Sequence, residues 1–150
     1  MYGFNMIGRN YADKNKNATK ISVIIDKNCI PVAIQMAKGN IHDTNLVLDT
    51  LDNSVIKIIY SKLIADKGYV NNNQKQFLHD KKNIDLIYSY RNNQHNVNTE
   101  EEKLLLKERS KIERFFSWIK KSRRLILRYD SKAEYYLTFF KLRCIIISLI

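Results

Sequence analysis

The chain has 150 residues, 45% of them hydrophobic and 27% charged, with a formal net charge of +11. That balance fits one globular domain with a real core and excludes a disordered or membrane-embedded chain. The positive excess calls for a polyanionic partner, nucleic acid first and an anionic membrane second. It is concentrated: Lys107 to Arg128 holds nine Lys or Arg and two acids, Glu108 and Glu113.

In chain order, residues 1–19 are polar and without period, a loop or an incomplete sheet edge. Thr19–Asp26 ("TKISVIID") is β-branched and reads as a strand. "KNCIP" is a turn and "PVAIQMAKG" a second strand, so the two predict an antiparallel hairpin. "NIHDTNLVLDTLDN" carries Leu46, Leu48 and Leu51 at helical spacing, with Asn40 or Asp43 as N-cap. "KLIADKGY" reads as a strand and its exit. "VNNNQKQFLHDKKN" is a weakly amphipathic helix with Phe77 and Leu78 inward. "IDLIYSY" is a further strand, followed by the polar connector "RNNQHNVNTE", of which the Asn-rich 92–98 is a candidate flexible insert. One long helix is predicted from Glu100 to Leu127 and another from Ser131 to the end. The order β-β-α-β-α-β-α-α is mixed α/β. No repeat or linker divides it, so residues 1–150 form one domain.

Cys29 and Cys144 stand far apart, without His or Cys at metal spacing, and read as core thiols of an intracellular protein. "MYGFNMIGRN" shows no signal-peptide pattern. "AEYYLTFFKLRCIIISLI" is strongly apolar, but Glu134, Lys141 and Arg143 make it a buried or partner-facing helix rather than a membrane span. His42 beside Asp43 reads as part of a helix start. His79 and His95 have no evident partner. Trp118 could stack on a base but sits on the apolar side of its helix. The pairs Tyr88/Tyr90 and Tyr135/Tyr136 read as packing.

The chemistry concentrates in "ADKGY" and in "EEKLLLKERSKIERFFSWIKKSRRLILRYD". Asp66 ends an apolar strand, where a carboxylate must cap, pair or bind a metal. Arg109, Glu113 and Lys120 recur at steps of four and seven, on one helix face. A lone Arg–Glu pair at that spacing is ordinarily a surface ion pair. Here Arg114, Lys120, Lys121, Arg123 and Arg124 crowd the downstream side of Glu113. Two carboxylates brought together from a strand end and a helix suit Mg²⁺, which takes oxygen ligands. The basic run through Arg128 suits a phosphodiester backbone, with a solvated face as the alternative.

"ADKGY" followed by "KIERFFSWIKKSRRLILRYD" resembles the second and third blocks of DDE transposases of the bacterial insertion-sequence type. Upstream, "IGRNYADKNKNATKISVIIDKNCIPVAIQMAKGNIHDTNLV" is similar to the family's segment between its first and second acids. The resemblance covers nearly the whole chain. It implies an RNase H-like mixed sheet with flanking helices, Mg²⁺ or Mn²⁺, and DNA strand transfer. Position by position, Asp66 resembles the second acid and Glu113 the third, both of them metal ligands. Arg109 and Lys120 match the basic members around Glu113, and Lys121, Arg123, Arg124 and Arg128 extend the DNA-binding surface. The implied partner is DNA, as transposon ends and target, at an intracellular location. A homodimer is left open, and neither membrane nor small-molecule substrate is implied.

The sequence departs from the family's pattern in two places. Leu106 stands where many relatives have a Tyr. The first acid, carried in the family by an "Asp-Ser/Gly-Thr" strand, has no counterpart; Asp26 matches a hairpin position, Asp13 a basic loop and Asp43 a helix start. The expectation is therefore an N-terminally truncated catalytic domain lacking the first strand and inactive alone. Its rivals are a non-catalytic basic DNA-binding remnant or domesticated module, and another RNase H-like nuclease.

Overall fold

The computed structural model describes residues 5–11, 13–90 and 97–149. Three strands, β1 (Gly8–Asn10), β2 (Lys16–Ile25) and β3 (Pro31–Lys38), form an antiparallel sheet in the order β1-β2-β3. Helix α1 (Asp43–Asp52) leads to β4 (Ser61–Ala65) and a 3₁₀ turn at Lys67–Tyr69. Helix α2 (Asn72–Lys82) returns the chain to β5 (Ile84–Tyr88), which pairs parallel to β4 in a second sheet. The helices α3 (Glu100–Lys107), α4 (Ser110–Lys120), α5 (Arg123–Ile126) and α6 (Ala133–Ser148) follow. The mixed α/β architecture with flanking helices is as the sequence leads one to expect.

The β2–β3 hairpin forms because β-branched residues alternate across it and a tight turn joins it. Cys29 takes a left-handed φ of 65° in that turn. Asp26 secures it by accepting from the Asn28 and Ile30 amides, each at 2.8 Å. Alternation then sends Ile21, Val23 and Ile25 to one core and Ile24 to another. The first core lies between the hairpin and α4–α6, around Phe115, Ile119, Leu125, Phe140 and Cys144. Phe115 is fully buried, with Phe116 and Phe140 edge-on at 5.5 and 6.5 Å. The second core joins α1 and α2 to the β4–β5 pair through Val47, Leu51, Leu78, Ile84 and Leu86. Gly39 lies where a Cβ would meet the Gly8 carbonyl oxygen at 2.4 Å, so only glycine lets the hairpin end approach β1.

Several local expectations are corrected. Of the two readings for residues 1–19, loop or incomplete sheet edge, Gly8–Asn10 takes the second as edge strand β1, and β2 begins at Lys16 rather than Thr19 because it pairs against that edge. The cap of α1 is His42, whose Nδ1 accepts from the Thr44 amide at 3.3 Å, rather than Asn40 or Asp43. Asp43 instead pairs with Lys20 at 2.8 Å. Phe77 faces outward and Gln74 takes the inner face beside Leu78, because its amide donates to the Thr44 carbonyl at 2.9 Å. His79 does have a partner, Asp85, at 2.8 Å. Tyr135 is exposed whereas Tyr136 is buried.

The predicted long helix is three helices. Thr99 and Glu102 form a capping box that starts α3. At Glu108–Ile112 the backbone stays right-handed but tightens to bonds spanning three residues, as from the Ile112 amide to the Arg109 carbonyl at 3.1 Å. Ser122 is extended, with ψ of 104°, and truly separates α4 from α5. That break lets Leu125 enter the core, where its carbonyl accepts from the Tyr136 hydroxyl at 2.8 Å. Among the described residues no helix is long and apolar enough to cross a membrane. His95 and most of the Asn-rich stretch lie outside the described residues.

Candidate functional site

A groove of about 1030 Å³ runs between the two sheets. Its walls are Ile21–Ile25 of β2 and Ser61–Ala65 of β4, and Ile112 and Phe116 of α4 line it too. On the side of β2 away from β3, only Lys16–Ala18 are paired, with β1. Among the described residues no strand pairs with Ile21–Ile25 on that side, and none pairs with β4 opposite β5. The groove is thus bounded by two strand edges with unmatched backbone donors and acceptors.

Asp66 and Glu113 both line this groove, together with Arg109. Asp66 follows β4, because the apolar strand must end where the chain turns. Its side chain caps the 3₁₀ turn by accepting from the Lys67 amide at 2.6 Å. Glu113 lies in the first turn of α4, one helical turn beyond Arg109. The half-buried Arg109 joins them. Its Nη1 is 3.4 Å from Asp66 Oδ1 and its Nη2 is 4.0 Å from Glu113 Oε1. One guanidinium therefore stands between the two acids that the sequence singled out. Both carboxylates are largely open to solvent, so each contact by itself contributes little to stability.

Tyr69, also in the groove wall, keeps its phenolic proton beyond the usual range. Burial is the chief cause, helped by the negative charges of Asp43 and Asp66 and opposed by a hydrogen bond with Ser22. Its place at the end of "ADKGY" gives it no role from sequence alone.

Oxygen donors on a strand end and a helix are the type that Mg²⁺ and Mn²⁺ take, and Arg109 already shows that a cationic group is accepted between them. In donor type the residues fit such an ion. In number they fall short, because among the described residues no three His, Cys, Asp or Glu side chains gather.

The basic residues divide into two groups. Lys120, Lys121 and Arg123 are exposed where α4 passes into α5. Arg124 pairs with Asp130 at 2.7 Å and stacks on the Phe139 ring at 3.8 Å. Arg128 is occupied internally. It donates to the Asn5 and Ser131 carbonyls and to the Thr19 hydroxyl, each at 2.8 Å, tying β2 to the start of α6. The Trp118 indole packs against the first core.

Comparison with known proteins fits this arrangement. The family model "Transposase DDE domain" matches residues 8–128, the span that holds the hairpin, Asp66, Arg109 and Glu113. A curated protein of Burkholderia cepacia, "Putative transposase for insertion sequence element IS402", is 25% identical over 152 residues, covering 93% of this chain and 67% of that protein. No solved structure matches. With the family model spanning most of its length, the chain belongs to the DDE-domain transposases.

Proposed function

We propose that this chain belongs to the catalytic core of a DNA transposase, a core that cuts phosphodiesters at the ends of a mobile element and joins the freed 3′-hydroxyl to target DNA once a third carboxylate completes it. The observation that carries the reading is Arg109, within 3.4 Å of Asp66 and 4.0 Å of Glu113. Two acids distant in sequence are held at one groove, upstream of a run of exposed cations.

The finer reading of the fold is RNase H-like. The groove between β2 and β4 is the seat of one further central strand, and a third carboxylate would arrive on it. Asp66 and Glu113 are the residues that would hold Mg²⁺ or Mn²⁺. Such an ion, when bound, activates an attacking oxygen and offsets charge on the leaving oxygen. The remaining work falls to this chain's own side chains. Arg109 offsets the mutual repulsion of the two acids and holds them together. Lys120 lies seven residues beyond Glu113 on the same helix face, about 10 Å along the axis. With Lys121, Arg123 and Arg124 it would hold the DNA backbone by charge, positioning the duplex without reading its sequence. Two carboxylates alone bind a cation weakly, so the 150-residue chain by itself binds DNA and does not cleave it.

A second reading, a non-catalytic basic DNA-binding module, has one observation in its favour: the two-acid site lacks a third donor among the described residues. Mn²⁺ titration followed by electron paramagnetic resonance, beside DNA binding across a salt series, separates the two. If the site is catalytic in origin, Asp66→Asn and Glu113→Gln each abolish Mn²⁺ binding while DNA affinity persists. Replacing Arg123 and Arg124 by Ala lowers the salt slope by roughly 2, near one unit per lost phosphate contact. Equal Mn²⁺ binding by wild type and both acid variants would leave only the binding module.

A further inference from the structure

Strands β1 and β2 continue past the end of β3 as a two-stranded ribbon, closed by a turn at Asp13–Lys16. Lys14 and Asn15 hold left-handed φ of 50° and 58° there, and the Lys16 amide donates to the Asp13 carbonyl at 3.0 Å. Two consecutive left-handed residues are what the hairpin turn matching a ribbon's twist requires. Alternation puts Gly8 and Ala18 on one face, and Arg9 and Asn17, directly opposite each other, on the other. The first face is closed. A Cβ on Gly8 would meet Asn40 Oδ1 at 2.2 Å, and one on Gly39 the Ala18 Cβ at 3.1 Å. The second face is open, with Arg9 and Asn17 both exposed. Tyr11, at the tip, is 75% exposed. Lys14 and Lys16 are exposed too, and Asp13, the single acid between Asn5 and Ala18, lies 3.5 Å from Lys16.

We infer that this ribbon enters the major groove of duplex DNA and reads bases there, with Arg9 and Asn17 as the pair that sets sequence specificity. The inference rests on DNA being the partner, as proposed above, and not on the metal site. The chemistry of the pair is its first support. A guanidinium forks onto guanine O6 and N7, and a carboxamide onto adenine N6 and N7. Arg9 and Asn17 present these two groups side by side, with Cβ atoms about 5 Å apart, within reach of neighbouring base pairs ~3.4 Å apart. Shape is the second support. The two strands lie about 4.8 Å apart, and a major groove about 12 Å wide admits such a ribbon. From Thr19 to Asn15 the ribbon projects about 13 Å, at ~3.3 Å per residue, more than the groove's depth of about 8.5 Å. Charge is the third. Arg9, Lys14 and Lys16 outnumber Asp13, so the ribbon is drawn to a polyanion along its length. Tyr11 adds an exposed apolar surface at the tip, suited to a thymine methyl.

The ribbon is also fixed to the end of α5. Arg128, two residues beyond α5, donates to the Asn5 carbonyl and the Thr19 hydroxyl, at the root of each arm of the ribbon. The Thr19 hydroxyl donates across to the Met6 carbonyl at 2.8 Å, and Asn5 Oδ1 accepts from the Ala133 amide at 2.6 Å. Arg128 therefore serves DNA as the link between two surfaces. The α4–α5 cations hold the backbone and place the duplex, and the ribbon specifies which duplex is held.

The test selects, on the purified wild-type chain, from a pool of duplexes whose core is randomised over one helical turn. Affinity is then measured by fluorescence anisotropy for the enriched duplex and for a scrambled one, across a salt series. Wild type enriches one short motif that contains guanine and adenine. Asn17→Ala lowers affinity for the enriched duplex roughly ten-fold or more and leaves the scrambled duplex unchanged. Arg9→Lys keeps the charge but loses the fork, so the preference falls by a similar factor while the salt slope stays that of the wild type. Lys121→Ala weakens both duplexes alike and lowers the slope by about one. All three variants keep the circular dichroism of the wild type. A pool that stays random overturns the inference. So does an enriched motif that Arg9→Lys and Asn17→Ala still prefer as the wild type does, or equal weakening of both duplexes by Asn17→Ala. Binding of every duplex alike overturns this inference and leaves the function proposed above standing, whereas a chain that binds no duplex overturns both.

Discussion

The two edges of β2 have different histories. On one side Thr19–Ile25 pairs with Pro31–Lys38 across a short turn, and the sheet it builds is covered by α4–α6. On the other side pairing stops after Lys16–Ala18, and Ile21–Ile25 faces an open groove with β4 across it. The same strand, with the same β-branched residues, is closed where its partner is near in sequence. It is open where no strand among the described residues lies near enough to pair. Loop closure over a few residues costs little entropy, and a hairpin meets that cost locally. The central strand proposed for the groove would depend on a remote segment, and so would the site at its end.

The comparison breaks most sharply at Phe115. It is fully buried on the closed side, between Phe116 and Phe140. Phe115→Ala removes that packing and leaves a cavity the surrounding helices cannot fill. The expected loss is about 3–5 kcal/mol of unfolding free energy, read by urea denaturation. If the variant lost less than about 1 kcal/mol, the closed side would not be the source of stability.

Much of this division was legible in the sequence. The hairpin announced itself by β-branched alternation around one turn, and Asp66 by an acid closing an apolar strand. Glu113 was found by its cationic surroundings. Three features were not legible, each for a physical reason. The tightened turn at Glu108–Ile112 keeps helical dihedrals, so no Gly or Pro marks it. The cap of α1 is a histidine, a residue type that cap preferences rank low, chosen because Lys20 claims the neighbouring Asp43. Arg128 sits in a basic run, and composition cannot tell a guanidinium aimed at solvent from one spent on the Asn5, Thr19 and Ser131 oxygens.

Cys144 sharpens the contrast through pH. Its thiol sits in the closed core, and burial pushes it up to about 12. In the unfolded chain a thiol ionises near 8.5, so between those values the unfolded state binds fewer protons than the native state. Stability contributed by the protonated thiol is complete below about 8.5 and falls as pH rises above it. At pH 10 the loss reaches at most about 2 kcal/mol. Thermal or urea melts from pH 7 to 10 should show a steeper decline for wild type than for Cys144→Ala. Tyrosine ionisation is common to both proteins and cancels in the difference. Matching slopes would mean that the core around Cys144 admits water and is not closed.

The smallest effect is expected on the open side. Leu104 of α3 lines the groove and is 62% exposed. Leu104→Ala deletes the same class of apolar atoms as a core truncation, but the native chain already leaves most of them in water. Little transfer free energy is lost, and no closed cavity is created. The expected change is within about 0.5 kcal/mol. The reason is geometric rather than chemical, since a leucine stabilises only in proportion to the area it removes from water. A loss above about 1.5 kcal/mol would show that the groove closes over Leu104 in solution. β2 and β4 would then meet without an intervening strand, and the seat proposed for a third carboxylate would vanish with the groove.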